Sequence, residues 1–338
     1  MQLSQGMVGR LVAFLVLGAL TGTACSSSTP PRASVPQVRQ ATVTAPDPTT
    51  ARTTTTTEAG TAPAAARVGT CGWVDGAPAT YEHVVWIWME NHRSSDVLGS
   101  PNAPYETALA AQCGSSAQAH DVGSPSLPNY LGATSGDTWG ITDDAPPSAH
   151  PLAHDNLFRQ VRDSGRRAVS YEEGMPAPCA LAGSGRYAVK HNPAAYYTGP
   201  GDRAACQTDN VALGDVHGGA LADALDGGTL PAFSFVTPDL CNDTHDCDEA
   251  TGDRWLATWI PRIVKSATWR RGRSAIWVVW DEPTPMPLIV VAPAARPGAT
   301  SAGPSDHYGL LRAAEETLGL PLLGRARTAN SLRAGLGV

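Results

Sequence analysis

The chain has 338 residues, 42% of them hydrophobic and 16% charged, with a formal net charge of −7. Five of the 24 basic residues and two of the 31 acidic ones precede residue 71, so the remainder carries 19 against 29 and lies near −10. That balance argues against nucleic acid and against an anionic membrane surface as partners, while residues 71–338 are ample for one large core.

In chain order, residues 1–24 come first. The apolar run LVAFLVLGALTGTA ends in small residues and reads as a signal peptide, too short and wrongly flanked for a membrane span. Cys25 follows directly, ahead of SSSTPPRASVPQ. A small-residue stretch ending in Cys before a Ser/Thr/Pro segment predicts a lipoprotein acylated at Cys25, with a membrane contact made only through that anchor. Residues 25–70, built around TARTTTTTEAGTAPAAA, cannot bury enough apolar surface to offset ordering entropy and read as a tether. With Cys25 lipidated, six of the seven cysteines remain: Cys71, Cys113, Cys179, Cys206, Cys241 and Cys247. An even set in an exported domain predicts disulfides. Sequence leaves many pairings open, and neighbours in the chain (71–113, 179–206, 241–247) are the expected ones.

Strand-like runs occur at Val84–Met89, Ala168–Tyr171, Ala232–Thr237, Ala275–Trp280 and Leu288–Ala292. Helix-like stretches lie near Pro104–Gln112, Leu127–Thr134, Asn156–Asp163, Gly219–Leu225, Gly252–Thr268 and His307–Leu318. The strand runs are short and apolar on both faces, as in a parallel sheet covered on both sides, which predicts an α/β fold: a three-layer αβα sandwich with a mostly parallel central sheet. In such sheets ligands bind beyond the carboxyl ends of the strands. Here those ends are polar: Glu90-Asn91, Glu172-Glu173, PDLCNDTHDCD after Thr237, and Asp281-Glu282. Several acidic exits on one rim, with imidazoles nearby, gather the donors a divalent metal takes.

Between the exits, SPSLPNYLGATSG sets Ser126 just before a helical stretch, where it is either an N-cap or a nucleophile at a phosphate-favouring helix start. CNDTHDC holds Asn242, Asp243, His245 and Asp246 between two cysteines, either a stapled surface turn or a pinned set of ligands. KHNPAAYY carries His191 and Asn192, and SDHYGLLRAAEETLG puts His307 at a helix start. No Gly-x-Ser-x-Gly elbow, P-loop or dinucleotide fingerprint occurs.

These segments, in this order, resemble the bacterial phosphoesterase family that contains acid phosphatases and phospholipases C, within the alkaline-phosphatase-like superfamily. The resemblance runs from His83 to Leu323 and rests on HVVWIWMENH, SLPNYLGATSG, KHNPAAYY, PDLCNDTHDC with TGDRWL, VVWDE and DHYGLLRAAEETLGLP. It implies Ser126 as the nucleophile and Glu90, Asn91, Asp281 and Glu282 as metal ligands. It further implies Asp243 as a ligand, His191, His245 and His307 as catalytic groups lining the same pocket, and Asn129 and Asn192 as substrate contacts. By analogy with the wider superfamily, Asp243, His245 and His307 would hold a second metal. The implied cofactor is a divalent ion of the Mg, Mn, Ca or Zn class. The implied activity is a phosphomonoesterase working through a phosphoserine, on a phosphorylated small molecule or a phospholipid-derived substrate. Two alternatives stay open: a phospholipase C-like phosphodiesterase, and a non-catalytic phosphate-binding surface lipoprotein. Two positions depart from the family's usual pattern. Ser124 stands where a His is common, and the acidic, Gly-rich loop after WDE is cut to PTPMP.

Overall fold

The structure, a computed structural model, describes residues 70–301 and 303–338. The expected signal peptide, Cys25 and the tether up to residue 69 lie outside the described residues. Among the described residues one eight-stranded sheet has the order β4-β3-β5-β1-β6-β7-β2-β8. Its strands are β1 His83–Met89, β2 Gly114–His120, β3 Ala168–Glu172, β4 Asn210–Ala212, β5 Phe233–Thr237, β6 Ser274–Trp280, β7 Met286–Val291 and β8 Ser305–Asp306. All neighbouring pairs are parallel except those of β7, which runs against both β6 and β2. The helices are α1 Ser94–Val97, α2 Pro104–Gln112, α3 Ser126–Ser135, α4 Leu157–Asp163, α5 Asp202–Asp209, α6 Ala220–Asp226, α7 Glu249–Val264, α8 His307–Leu318 and α9 Arg333–Leu336.

Central β1 sorts the layers. Successive side chains of a strand point to opposite faces, so Trp86 and Trp88 share one face and Val85, Ile87 and Met89 the other. The Trp88 ring lies 4.4 Å from that of Tyr130 on α3 and 5.1 Å from that of His307 on α8. On the other face Met89 reaches α7, where a Cβ added to Gly252 would stand 2.7 Å from Met89 Cε. Helices therefore cover both faces of the sheet. Each fully buried large apolar side chain in these layers contributes about 1.5–3 kcal/mol. Helix α3 is buried along its whole length and ends at Gly136, whose φ of 79° suits glycine. A Cβ at Gly136 would also meet the Leu323 carbonyl oxygen at 2.9 Å.

Three strands differ from the expected set: β2 (GSSAQAH), β4 and β8. None carries an apolar run, and β4 and β8 are only three and two residues long. They are strands because their backbones complete ladders at or near the sheet edges, an effect of tertiary context that hydrophobic patterning does not register. Disulfides join Cys71 to Cys113, Cys179 to Cys206 and Cys241 to Cys247, all neighbours in sequence. Among the described residues no helix is long and apolar enough to cross a membrane.

Two buried carboxyls outside the rim's centre give the fold a pH dependence. Burial pushes Glu172, whose Oε1 accepts from Ser170 Oγ at 2.6 Å, up to about 8. Burial likewise raises Glu315, which accepts from the Leu323 N–H at 2.8 Å, to about 8. Because the folded values lie above the ordinary glutamate value of 4.5, their contribution is fully present below that value and is lost as pH rises through about 8. Each unit of difference is worth about 1.4 kcal/mol. The urea midpoint is therefore expected to fall between mildly acidic and mildly alkaline pH. Glu315→Gln should flatten that fall, and an unchanged slope in this variant would remove Glu315 as a contributor.

Candidate active site

The site grows out of the end of β1. Glu90 lies two residues beyond Trp88 and so continues the face that packs on α3. The ladder runs on past the strand ends: the Glu90 N–H donates to the Asp243 carbonyl at 2.8 Å, and the Asp281 N–H to the Met89 carbonyl at 3.2 Å. Three strand exits, after β1, β5 and β6, are thereby tied together by main chain. Asn91 then turns the chain away in a left-handed conformation, φ 57°, and its N–H donates to Asp281 Oδ1 at 3.0 Å.

The loop carrying Asp243 is held from several sides. Besides the Cys241–Cys247 bond, Glu173 Oε2 accepts from the Asp239 N–H and from Asn242 Nδ2, each at 2.9 Å. Thr244 has a φ of 79°, unusual for a β-branched residue, and its Oγ1 donates to the Glu90 carbonyl at 2.8 Å. Such a conformation costs on the order of 1–3 kcal/mol and persists where surrounding contacts impose it. One of them is Gly252, where a Cβ would stand 2.4 Å from Thr244 Cγ2, so a larger residue there would push the loop off α7.

Ser126 opens α3, with its Oγ 3.3 Å from Glu90 Oε2. One turn later on the same helix face, the Tyr130 hydroxyl donates to Glu90 Oε1. His191, at the end of the 3-10 turn Val189–His191, stacks on Tyr130 with ring centroids 5.3 Å apart and planes 8° from parallel. Its Nε2 lies 3.2 Å from Glu90 Oε1 and its Nδ1 lies 3.3 Å from Asp243 Oδ2. Even at those distances His191 Nε2 and Asp243 Oδ2 make no hydrogen bond. Among the described residues, neither they nor Asp281 Oδ2 has a hydrogen-bond partner.

Electrostatics states the same problem. Burial, followed by the Asp281 and Asp243 charges, holds Glu90 well above the usual carboxylate range. Burial lifts Asp243 to about 8 and Asp281 to about 6. His191 is pushed well below the ordinary histidine value by burial and then by Lys190 and His245, so it is neutral at neutral pH. Carboxylates buried together with bare oxygens are a costly arrangement without a compensating cation. One ligand atom each from Glu90, His191 and His245 lie within 4.8 Å of one another. Oxygen donors with imidazole suit a divalent ion, so the residues present fit a metal.

Residues 82–284 match the family model described as the phosphoesterase family. The chain belongs to that family. It is 31% identical over 266 residues to the phosphatidylinositol-3-phosphatase of Mycobacterium tuberculosis, covering 76% of this chain and 84% of that one. It is 25% identical over 262 residues to an acid phosphatase of Aspergillus fumigatus, covering 71% of this chain but only 55% of the fungal one. Among solved structures it is similar to a protein of the alkaline phosphatase superfamily from Vibrio parahaemolyticus, with a TM-score of 0.51 and 12% identity over 78% of this chain and 72% of that one. That likeness shows the fold.

Within this candidate site the residues singled out in the sequence fall into two groups. Glu90, Ser126, His191, Asp243 and Asp281 converge, with His245 adjoining. Glu282 is half-buried beside Ser124, and its carboxyl is raised by burial and by Asp281. Asn91 acts on Asp281 through its backbone, while its side chain is exposed.

The others are engaged elsewhere. Asn129 Oδ1 accepts from the N–H groups of Val122 (2.8 Å) and Gly123 (3.1 Å), and its Nδ2 donates to the Gly123 carbonyl (2.8 Å). Its amide is used up in fixing the turn before Ser126, so direct substrate contact would require breaking those bonds. Asn192 is paired with Asn210 in both directions, at 3.0 and 2.6 Å, and donates to the Tyr187 hydroxyl. His307 Nε2 donates to the Asp281 carbonyl at 2.7 Å and so touches the site through Asp281.

Tyr130, Thr244, Lys190 and Asp144 escaped the sequence reading. Tyr130 was within reach of it, since it lies four residues after Ser126. Asn129→Ala is expected to lower folding stability by about 1–3 kcal/mol in urea denaturation, the cost of stranding buried donors. A residue that only touched substrate would leave the midpoint unchanged.

Proposed function

We propose that this chain is an exported, metal-assisted phosphomonoesterase that works through Ser126 and a phosphoserine. The observation that carries the reading is Ser126 Oγ set 3.3 Å from Glu90 Oε2, beside the buried carboxylates Asp243 and Asp281, each with one oxygen (Oδ2) lacking a partner among the described residues. Export and acylation at Cys25 belong to the same proposal, and export is supported by three disulfides. The phosphatidylinositol-3-phosphatase among its relatives supports a substrate class of phosphate monoesters that includes phospholipid headgroups.

In this reading Glu90, Asp243, Asp281 and His191 would hold the divalent ion, with Asn91, Glu282 and His245 adjoining. When bound, the ion would supply positive charge against the nucleophile and the phosphoryl oxygens. Tyr130, kept protonated by burial and by Glu90, orients the Glu90 carboxylate so that Oε2 faces the serine. Ser126 gives its proton toward Glu90 Oε2 and attacks phosphorus, and the alkoxide of the ester departs on the opposite side and takes a proton from solvent, Glu90 keeping the serine's proton until Ser126 Oγ leaves phosphorus and takes it back. Water then attacks the phosphoserine, releasing phosphate and restoring the hydroxyl. His191 contributes as a neutral imidazole whose ring is locked by Tyr130.

The test is turnover of p-nitrophenyl phosphate and of bis(p-nitrophenyl) phosphate, with chelator and with Mg, Mn, Ca or Zn restored. Monoester turnover should vanish with chelator and return with at least one metal. Ser126→Ala should lower kcat by roughly a thousandfold or more, the scale of losing a nucleophile. Faster turnover of the diester would move the reading to a phosphodiesterase. Absence of turnover with every metal would leave a phosphate-binding protein.

A further inference from the structure

A phosphoryl group on Ser126 needs positive charge on the side of α3 as well as on the side of the carboxylates. A helix start ordinarily supplies it through its free N–H groups. Here that supply is nearly exhausted. Pro125, the N-cap, and Pro128 have no N–H, and the Leu127 N–H is taken by Asp144 Oδ1 at 3.0 Å. Of the orphan donors of the first turn, only that of Ser126 itself is left.

The same Asp144 brings a full charge to the place. Its Oδ2 accepts from Lys190 Nζ at 3.0 Å, so one carboxylate links the backbone next to the nucleophile to an ammonium. Lys190 immediately precedes His191 in the 3-10 turn that packs on α3. While His191 points at Glu90 and Asp243, Lys190 Nζ also comes within 3.4 Å of His245 Nε2. His245 Nδ1 lies 2.7 Å from Asp246 Oδ1, on the far side of the ring from Lys190.

We propose that Lys190 is a phosphoryl-binding residue of this site, its ammonium contacting a non-bridging oxygen of the group on Ser126, in place of the helix N–H donors that two prolines and Asp144 remove. Asp144 is the positioning residue that holds this ammonium beside the first turn of α3. No proton leaves Lys190 in this role. It donates hydrogen bonds to the phosphoryl oxygens and exchanges part of its contact with Asp144 and His245 for them.

The proposal rests on Ser126 as the nucleophile, and the experiment separates the two. Inhibition by inorganic phosphate is measured on the full chain with p-nitrophenyl phosphate as substrate, for wild type, Lys190→Met, Lys190→Gln and Lys190→Arg. Lys190→Met and Lys190→Gln are expected to weaken phosphate inhibition by about 10- to 100-fold, the scale of losing a charge-assisted hydrogen bond, and to raise KM in parallel. The metal concentration for half-activation should stay unchanged, and Lys190→Arg should recover part of the phosphate affinity. The Gln variant carries the same expectation as the Met variant, so a folding defect in one does not remove the comparison. Phosphate inhibition within about twofold of wild type in both neutral variants would overturn the proposal. So would a loss confined to metal activation. Should Ser126→Ala remain active, the nucleophile reading falls, and the phosphate comparison still decides the role of Lys190.

Discussion

The architecture of the rim depends on burying Glu90 at the end of a strand that is otherwise all hydrocarbon and indole. A carboxylate at zero exposure, as Glu90 is, costs least where each oxygen is engaged. Here Ser126 and Tyr130, one helical turn apart on α3, take one oxygen each. That requirement fixes the angle at which α3 meets the sheet, because both hydroxyls must reach the same carboxylate. It also explains why α3 is buried along its length: a helix pinned at its first turn against β1 is roofed by α8 and the 189–195 turns. The indoles of β1 do the apolar part of the same task, since Trp88 packs on Tyr130 and so sets the ring whose hydroxyl orients Glu90.

Asp243 and Asp281 then join a carboxylate that is already buried, and each raises its proton affinity. A protein without a use for this arrangement would be more stable with apolar residues there. The supports reveal how much structure is committed to holding it: main-chain ladder bonds beyond three strand ends, a left-handed Asn91 and Thr244, a disulfide across the Asp243 loop, and His307 bonded behind Asp281. Such a set of fixed donors, preorganised before any ligand arrives, is what electrostatic catalysis requires.

How much of this could be read in advance follows from what each signal encodes. The central strands were legible because burial on both faces writes an unbroken apolar run, as in HVVWIWM and SAIWVVW. Their polar exits were legible because carboxylates just after such runs are conspicuous. Strand β2 was not, since GSSAQAH owes its conformation to ladders with β7 and β8 rather than to its own side chains. Asn129 and Asn192 illustrate a different limit. An amide in a motif can serve substrate or structure, and the choice depends on the turn six and seven residues before Asn129 and on Asn210 of β4, eighteen residues after Asn192. Lys190 was passed over because a lysine beside a histidine carries no periodicity. Its meaning came only when the 136–156 loop placed Asp144 between it and the start of α3.

The shortened exit after β6 bears on where selectivity can arise. Residues 282–285 turn the chain straight back into the antiparallel β7, and they are anchored to the next strand. The Asp121 carboxylate accepts from the Thr284 N–H at 2.8 Å and from its hydroxyl at 2.7 Å, and the Ser94 N–H donates to the Pro285 carbonyl at 2.9 Å. A segment so short and so tied can close off the carboxylate side of the pocket but offers little chain with which to grip a leaving group. Longer connections occur at 136–156 between α3 and α4 and at 173–188 between β3 and the Lys190 turn. They carry Asp144 and lead directly into Lys190 and His191. In a domain with net charge near −10, an anionic substrate is not drawn in by the surface as a whole, so recognition has to rest on local cations. The turn that carries Lys190 therefore serves both needs in the proposed reading, with His191 facing Glu90 and Asp243 and Lys190 facing Asp144 at the start of α3.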